Sequence, residues 1–223
     1  MPRTNPAALL ALALATPALA DLTLAPLFTD HMVLQQKASC PVWGWERPGA
    51  TITLRASWGA TAQATADEHG RWHATLETPS AGGPHELSIA GDTGVTLRDV
   101  YVGEVWLASG QSNMEWPLRA TDHAQEDIAS ADTPNIRFFT VPNTISLHPR
   151  LDVDASWTII TPQVAPEISA VAYHFAREIS GLNSRNLGIP TPVGIIASDW
   201  GGTRIEAWMD AASLAAFHAY TAE

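Results

Sequence analysis

Two short blocks carry the residue types that acyl transfer needs. Gly110-Gln-Ser-Asn-Met114 sets a serine, Ser112, just behind the mostly apolar run Val102 to Ala108, and Ser198-Asp-Trp-Gly-Gly-Thr203 sets adjacent glycines behind the apolar run Val193 to Ala197. A serine hydroxyl at the carboxyl end of a buried strand stands where open α/β sheets present their ligands, which is a nucleophile's position. Adjacent glycines let a backbone approach a ligand closely with free N–H groups, and acyl transfer needs such donors because charge develops on the carbonyl oxygen as the hydroxyl attacks. Each block also has a plainer reading. Ser112 and Glu115 have the Ser-x-x-Glu spacing of a helix capping box, although Pro117 follows too closely for a longer helix. Gly201-Gly202 could equally be an ordinary strand-to-helix turn. The Gly-x-Ser-x-Gly elbow of α/β-hydrolases is disfavoured, because Met114 stands where its second glycine would be.

The elements that must position these blocks fall into two regimes. From Asp21 to about Asp99 there are short β-type runs: Pro41–Trp45, Thr51–Arg55, Trp72–Leu76, Glu86–Ile89 and Val95–Leu97. Turn residues separate them, at Arg47-Pro-Gly49, Asp67-Glu-His-Gly70, Ala81-Gly-Gly-Pro84 and Gly91-Asp-Thr-Gly94. This spacing predicts a β-sandwich-like domain over 21–99. From 100 onward the pattern becomes strand (Val102–Ala108), strand (Asn135–Val141), a helix carrying Val171, Phe175, Ile179 and Leu182 and ending near Gly188-Ile-Pro190, then the buried strand Val193–Ala197. Strand, helix and buried strand in that order predict a parallel sheet with a crossover helix.

Composition narrows the partners. Twelve Lys and Arg against 23 Asp and Glu give a net charge of −11, which argues against nucleic acid, since phosphate binding needs a basic face. A single cysteine, Cys40, excludes an intramolecular disulfide and thiolate clusters. Residues 1–20 read as a secretory signal: Arg3, then the apolar run Ala7–Ala15, then Ala18-Leu19-Ala20 before Asp21. That run is shorter than the ~20 residues a membrane span needs. The expectation is a secreted or periplasmic protein beginning at Asp21, without a membrane span.

Gly103-Glu-Val-Trp-Leu-Ala-Ser-Gly-Gln-Ser-Asn-Met-Glu-Trp116 and Asp199-Trp-Gly-Gly-Thr-Arg-Ile-Glu-Ala-Trp208 resemble the two signature blocks of the sialate O-acetylesterase family, within the SGNH hydrolases. Phe28-Thr-Asp-His-Met-Val-Leu-Gln35, Val42-Trp-Gly-Trp45, Pro48-Gly49 and Gly70-Arg-Trp72 are similar to that family's N-terminal β region. The resemblance implies a flavodoxin-like three-layer α/β/α domain over 100–223, preceded by the β domain, that removes acetyl esters from sugars without a metal or other cofactor. By matching position it implies Ser112 as nucleophile, with the Ser112 and Gly202 amides as oxyanion donors and Gly201 as second choice. Gln111, Asn113, Trp116, Arg204 and Glu206 are the expected substrate-binding neighbours, with Glu115 also shaping the site.

The family's catalytic histidine and its acidic partner lie in an Asp-x-x-His block. None of the aspartates here has histidine three positions later, and the family's Trp-Tyr-Gln-Gly-Glu block is missing too. The chain is therefore expected to be the N-terminal portion of a longer esterase, with an incomplete sheet and little activity alone. Of the eight histidines, His123 is the first candidate for a substitute base because its loop leaves the serine turn. Trp43, Trp45, Trp58 and Trp72 are expected in the β core, while Trp116 and Trp208 could line a pocket. Two functions remain open at this point: a secreted serine esterase acting on acetylated carbohydrate, or a non-catalytic carbohydrate-binding or structural β domain with a vestigial esterase segment.

Overall fold

In a computed structural model, residues 21–146, 148–187, 190–215 and 217 are described. Residues 1–20, expected to be a signal, Gly188 and Ile189 at the expected end of the helix, the Leu182 side chain and His218 lie outside the described residues.

Strict alternation builds the first half. The run of eight strands is β1 (Thr23–Leu24), β2 (Val33–Gln35), β3 (Ser39–Trp45), β4 (Thr51–Ala56), β5 (Thr61–Thr65), β6 (Arg71–Glu77), β7 (Gly82–Ala90) and β8 (Gly94–Gly110). On β6, Trp72, Ala74 and Leu76 point inward while Arg71, His73, Thr75 and Glu77 face solvent; on β4, Ile52, Leu54 and Ala56 do the same. One sheet has the order β1-β3-β6; opposite it lie β5, β4, β7 and the first half of β8. Between them a shared apolar core includes Val42, Ile52, Leu54, Trp72, Leu76, Leu87 and Ile89, with Trp43, Trp45 and Trp58 packed at its margin. The tryptophans expected in this core are there. Two packed sheets are the arrangement that alternating strands require, since each has one apolar face to bury.

β8 does not stop at Asp99. It runs on to Gly110 as one continuous strand and becomes part of a second sheet region containing β9 (Thr133–Thr140), β10 (Trp157–Ile160) and β11 (Val193–Asp199), in the order β10-β9-β11-β8. β11 is parallel to both β8 and β9, as strand–helix–strand order predicts, whereas β10 pairs antiparallel with β9. β11 lies between β8 and β9, so the second and third expected strands do not simply follow the first across the sheet. Past Gly103, β8 is bonded to β11 on one side; on the other, Gln35 Oε1 accepts the Val105 amide at 2.8 Å. Beyond that point this edge carries no strand among the described residues, and Leu107 is 68 % exposed.

One face of the parallel strands is covered by the helix α3 (Ala170–Leu187). Its buried positions among the described side chains are Ala170, Ala172, Tyr173, Ala176 and Ser180, against Ile136, Phe138, Val193 and Ile195. Two alanines at i and i+4 let the helix approach the sheet closely, and Tyr173 fills the space between. Val171 and Phe175, expected on the apolar stripe, instead lie on the helix's flank, half-exposed, with Phe175 edge-to-face on Trp106 of β8 at 5.1 Å. The opposite face of the sheet, with Phe139, Trp157 and Ile196, packs on the β core, with no second helix layer among the described residues.

The junction of the two halves is held by a buried cation. Arg137, in the middle of β9 and 1 % exposed, donates to Pro134 O, His31 O and Asp99 O, and pairs with Asp99 Oδ2 at 3.1 Å. Its guanidinium lies 4.6 Å over the Tyr101 ring. His31 and Asp99 both have positive φ (68° and 54°) and are joined through Nδ1 and Oδ2 at 2.6 Å. Burial pushes the Asp99 carboxyl up, but the hydrogen bonds from His31 and Arg137 and the Arg137 charge outweigh it and hold the group below the usual carboxylate range.

Candidate active site

Strand register brings the two chemical blocks together. Asp199 pairs with Gly110 and Ser198 with Ser109, so β8 and β11 end level and their following turns emerge side by side. The turns are then tied: the Trp200 amide donates to Gly110 O at 3.0 Å.

After β8 comes α1 (Ser112–Glu115), a single turn that ends before Pro117. The capping-box reading of Ser112 is not what forms. Gln111 is the N-cap and Ser112 the first helical residue, and Gln111 Oε1 accepts both the Ser112 amide at 3.0 Å and the Ser112 hydroxyl at 2.7 Å. Ser112 is solvent-exposed, as a nucleophile that must meet substrate needs to be. Met114 turns inward under the site, where Ser169 Oγ lies 3.6 Å from its sulfur.

The glycine turn passes directly beside the serine. A Cβ built on Gly201 would lie 3.6 Å from Ser112 Cα and would overlap Glu115 Oε2, so a larger residue there requires the Glu115 carboxylate to move. The Gly201 amide is already engaged, donating to Glu115 Oε2 at 2.8 Å. Gly202 follows at φ +76°, the left-handed region that favours glycine, and its amide has no partner among the described residues. Glu115 Oε1 accepts from Asn143 Nδ2 at 3.4 Å. The Asp199 carboxyl is raised above the ordinary carboxylate range, by burial first and by the nearby Glu115 charge second.

Three clefts surround these groups. The largest, about 580 Å³, is lined in part by Asn143, Asp199, Trp200, Thr203 and Trp208. One of about 230 Å³ is lined by Gly110, Gln111, Thr203 and Trp208, and one of about 210 Å³ by Glu115, Asn143, Glu167, Ser169 and Asp199. Trp208 stands between the first two, its indole N–H donating to Thr203 Oγ1 at 2.8 Å. Trp116 instead donates to Ala120 O and is 53 % exposed. Asn113 and Arg204 are exposed, Glu206 is half-buried, and Arg204 precedes the single tight turn Ile205–Trp208. Sequence reasoning did not single out Asn143, Asp199 or Thr203. Their only signal was adjacency, for Asp199 and Thr203, to the glycine pair.

No histidine among the described residues hydrogen-bonds Ser112. His123 precedes α2 (Ala124–Ala129), exposed and without a side-chain capping bond, and His174 Nε2 lies 3.6 Å from Asp127. The His31–Asp99 pair has the Nδ1-to-carboxylate arrangement of a catalytic dyad, yet it sits at the junction on the far side of β8 from Ser112, eleven residues before Gly110 along the strand.

Known proteins resemble most of the chain. No protein-family model matches the chain. Sialate O-acetylesterases from Mus musculus, Pongo abelii and Homo sapiens are 31 %, 33 % and 32 % identical over 84 % of the chain. A crystal structure of a carbohydrate acetylesterase from Xanthomonas citri superposes with a TM-score of 0.80 and 42 % identity over 87 % of the chain. The chain is a relative of the sialate O-acetylesterases. It spans 37–38 % of the length of those relatives and 44 % of the Xanthomonas citri chain. This mixed α/β fold with its large sheet is accordingly close to a carbohydrate acetylesterase structure.

Proposed function

We propose that this chain carries the nucleophile half of a secreted serine esterase that removes O-acetyl groups from carbohydrate. The observation that carries the reading is the level ending of β8 and β11, which sets Gly201 beside Ser112. In this reading residues 21–99 form a β-sandwich-like domain and residues 100–223 the first part of an SGNH-type esterase domain. The relatives named above support acetyl-ester chemistry, and the cleft of about 580 Å³ beside Asp199 and Trp208 has room for a glycan.

The reaction follows from the groups present. Ser112 Oγ attacks the acetyl carbonyl carbon, its proton passing to a general base and then to the departing sugar hydroxyl. The oxygen that becomes negative is met by the Ser112 and Gly202 amides. Gln111 Oε1, which now accepts both Ser112 donors, gives way to the substrate carbonyl and then serves as a neighbouring polar contact. Water hydrolyses the acetyl-serine, releasing acetate. A neutral serine needs an adjacent, oriented base, and none of the described histidines contacts Ser112, so in this reading the base lies outside the described residues.

Turnover of 4-nitrophenyl acetate by the full-length protein and by its Ser112→Ala variant tests this. The esterase reading expects the variant to lose activity; equal rates would favour the non-catalytic carbohydrate-binding alternative.

A further inference from the structure

Glu115 lies at the end of the same helical turn that begins with Ser112, yet its side chain serves the neighbouring turn rather than its own helix. Oε2 accepts the Gly201 amide at 2.8 Å and Oε1 faces the Asn143 amide nitrogen at 3.4 Å. The carboxylate is packed so closely on Gly201 that an added Cβ would also lie 3.4 Å from Glu115 Cδ. An amide-to-carboxylate hydrogen bond is roughly twice as strong as one between neutral groups. Together with the Trp200 amide on Gly110 O, it fixes the glycine turn at two successive peptide groups to the segment that bears Ser112. The next amide along, that of Gly202, is left without a partner among the described residues.

We propose that Glu115 is a positioning residue for ester hydrolysis: by accepting the Gly201 amide it removes that donor from the oxyanion site and aims the Gly202 amide at the substrate's acetyl oxygen. The inference rests on Ser112 being the nucleophile. It also fixes the sign of an effect. If Gly201 were itself the oxyanion donor, the Glu115 carboxylate would obstruct it, and removing the carboxylate would speed the reaction.

The test is steady-state turnover of 4-nitrophenyl acetate by the full-length protein carrying Glu115→Ala, Glu115→Gln, Gly201→Ala, and Glu115→Ala with Gly201→Ala, beside Ser112→Ala. Glu115→Ala should lower kcat about 10²-fold, the scale of one mis-set oxyanion donor, with KM little changed. Glu115→Gln should recover most of that loss, because its carboxamide oxygen still accepts the Gly201 amide. Gly201→Ala should also be slow, and the double variant should lose less than the product of the two single losses, since the methyl and the carboxylate compete for one place. A rise in kcat in Glu115→Ala, or a folded Glu115→Gln as slow as Glu115→Ala, overturns the proposal. If Glu115→Ala fails to fold, Glu115→Gln decides alone: near-native kcat supports positioning through the acceptor oxygen, and a loss approaching that of Ser112→Ala overturns it. Undiminished turnover in Ser112→Ala would instead bring down the nucleophile reading itself.

Discussion

Replacing Arg137 by Met removes the cation that joins the two halves while keeping most of the side chain's volume. The structure sets the cost. Three backbone carbonyls, of Pro134, His31 and Asp99, lose a donor, and the Asp99 carboxylate loses its buried partner while keeping His31. Breaking a buried ion pair by removing one member costs about 3–5 kcal/mol. Because Asp99 is 31 % exposed, water can replace part of what is lost, which favours the lower end, about 3–4 kcal/mol. At about 2–4 °C per kcal/mol for a domain of this size, the midpoint should fall by roughly 6–16 °C. Arg137→Lys should fall between, since it keeps the charge but not the planar fork. Because the folded-state pKa of Asp99 is depressed, its contribution is present above the unfolded carboxylate value near 4 and is lost as pH falls through the lower folded value. The gap between wild type and Arg137→Met should therefore narrow in acid. Thermal unfolding followed by tryptophan fluorescence at pH 7 and in an acid series reads both effects. A midpoint for Arg137→Met within about 2 °C of wild type, which the same conversion equates to about 1 kcal/mol or less, would refute the reasoning.

Three further outcomes follow from the same geometry. Gly202→Val in the full-length protein should reduce acetate-ester turnover by about 10²–10³-fold with the fold retained, because no atom lies within 4 Å of an added Cβ and the disturbance falls on the φ +76° backbone; kinetics paired with circular dichroism check this. Asp199→Asn should raise the thermal midpoint at neutral pH, since a raised folded-state pKa means that the ionised carboxylate destabilises the fold; the gain should vanish once pH falls below the unfolded value near 4, as melting at the two pH values would show. Expressed with its leader in a bacterium, the exported protein should begin at Asp21 on N-terminal sequencing, and retention of Met1 would contradict the signal reading.

The chemistry-bearing blocks were legible because each follows an apolar run, and a buried strand that stops at small polar residues marks a sheet edge. That the two edges are level was not legible, since the pairing of Asp199 with Gly110 depends on a contact between distant parts of the chain. Glu115 read as half of a capping box from spacing alone; only the fold shows that its acceptor serves Gly201. Arg137 was hidden inside a strand pattern whose alternation takes a charge to be solvent-facing, and the carbonyls that bury it come from His31, Asp99 and Pro134. β5 and β10 escaped notice for different reasons: Thr61–Thr65 is small and weakly apolar, and Trp157–Ile160 is too short to show a period. On α3 the large residues Val171 and Phe175 drew the eye, yet the face against the sheet is set by small Ala172 and Ala176, because close approach needs little side chain.

The most direct test of Ser112 as the reacting group is covalent capture. The full-length protein is treated with a fluorophosphonate, which esterifies activated serines, and its peptides are mapped by mass spectrometry while aryl-acetate turnover is followed in the same samples. The account predicts a single phosphonyl adduct on Ser112 that accumulates in step with the loss of turnover and is absent from Ser112→Ala. Complete inactivation with the label on another residue, or full turnover by protein labelled at Ser112, would contradict it.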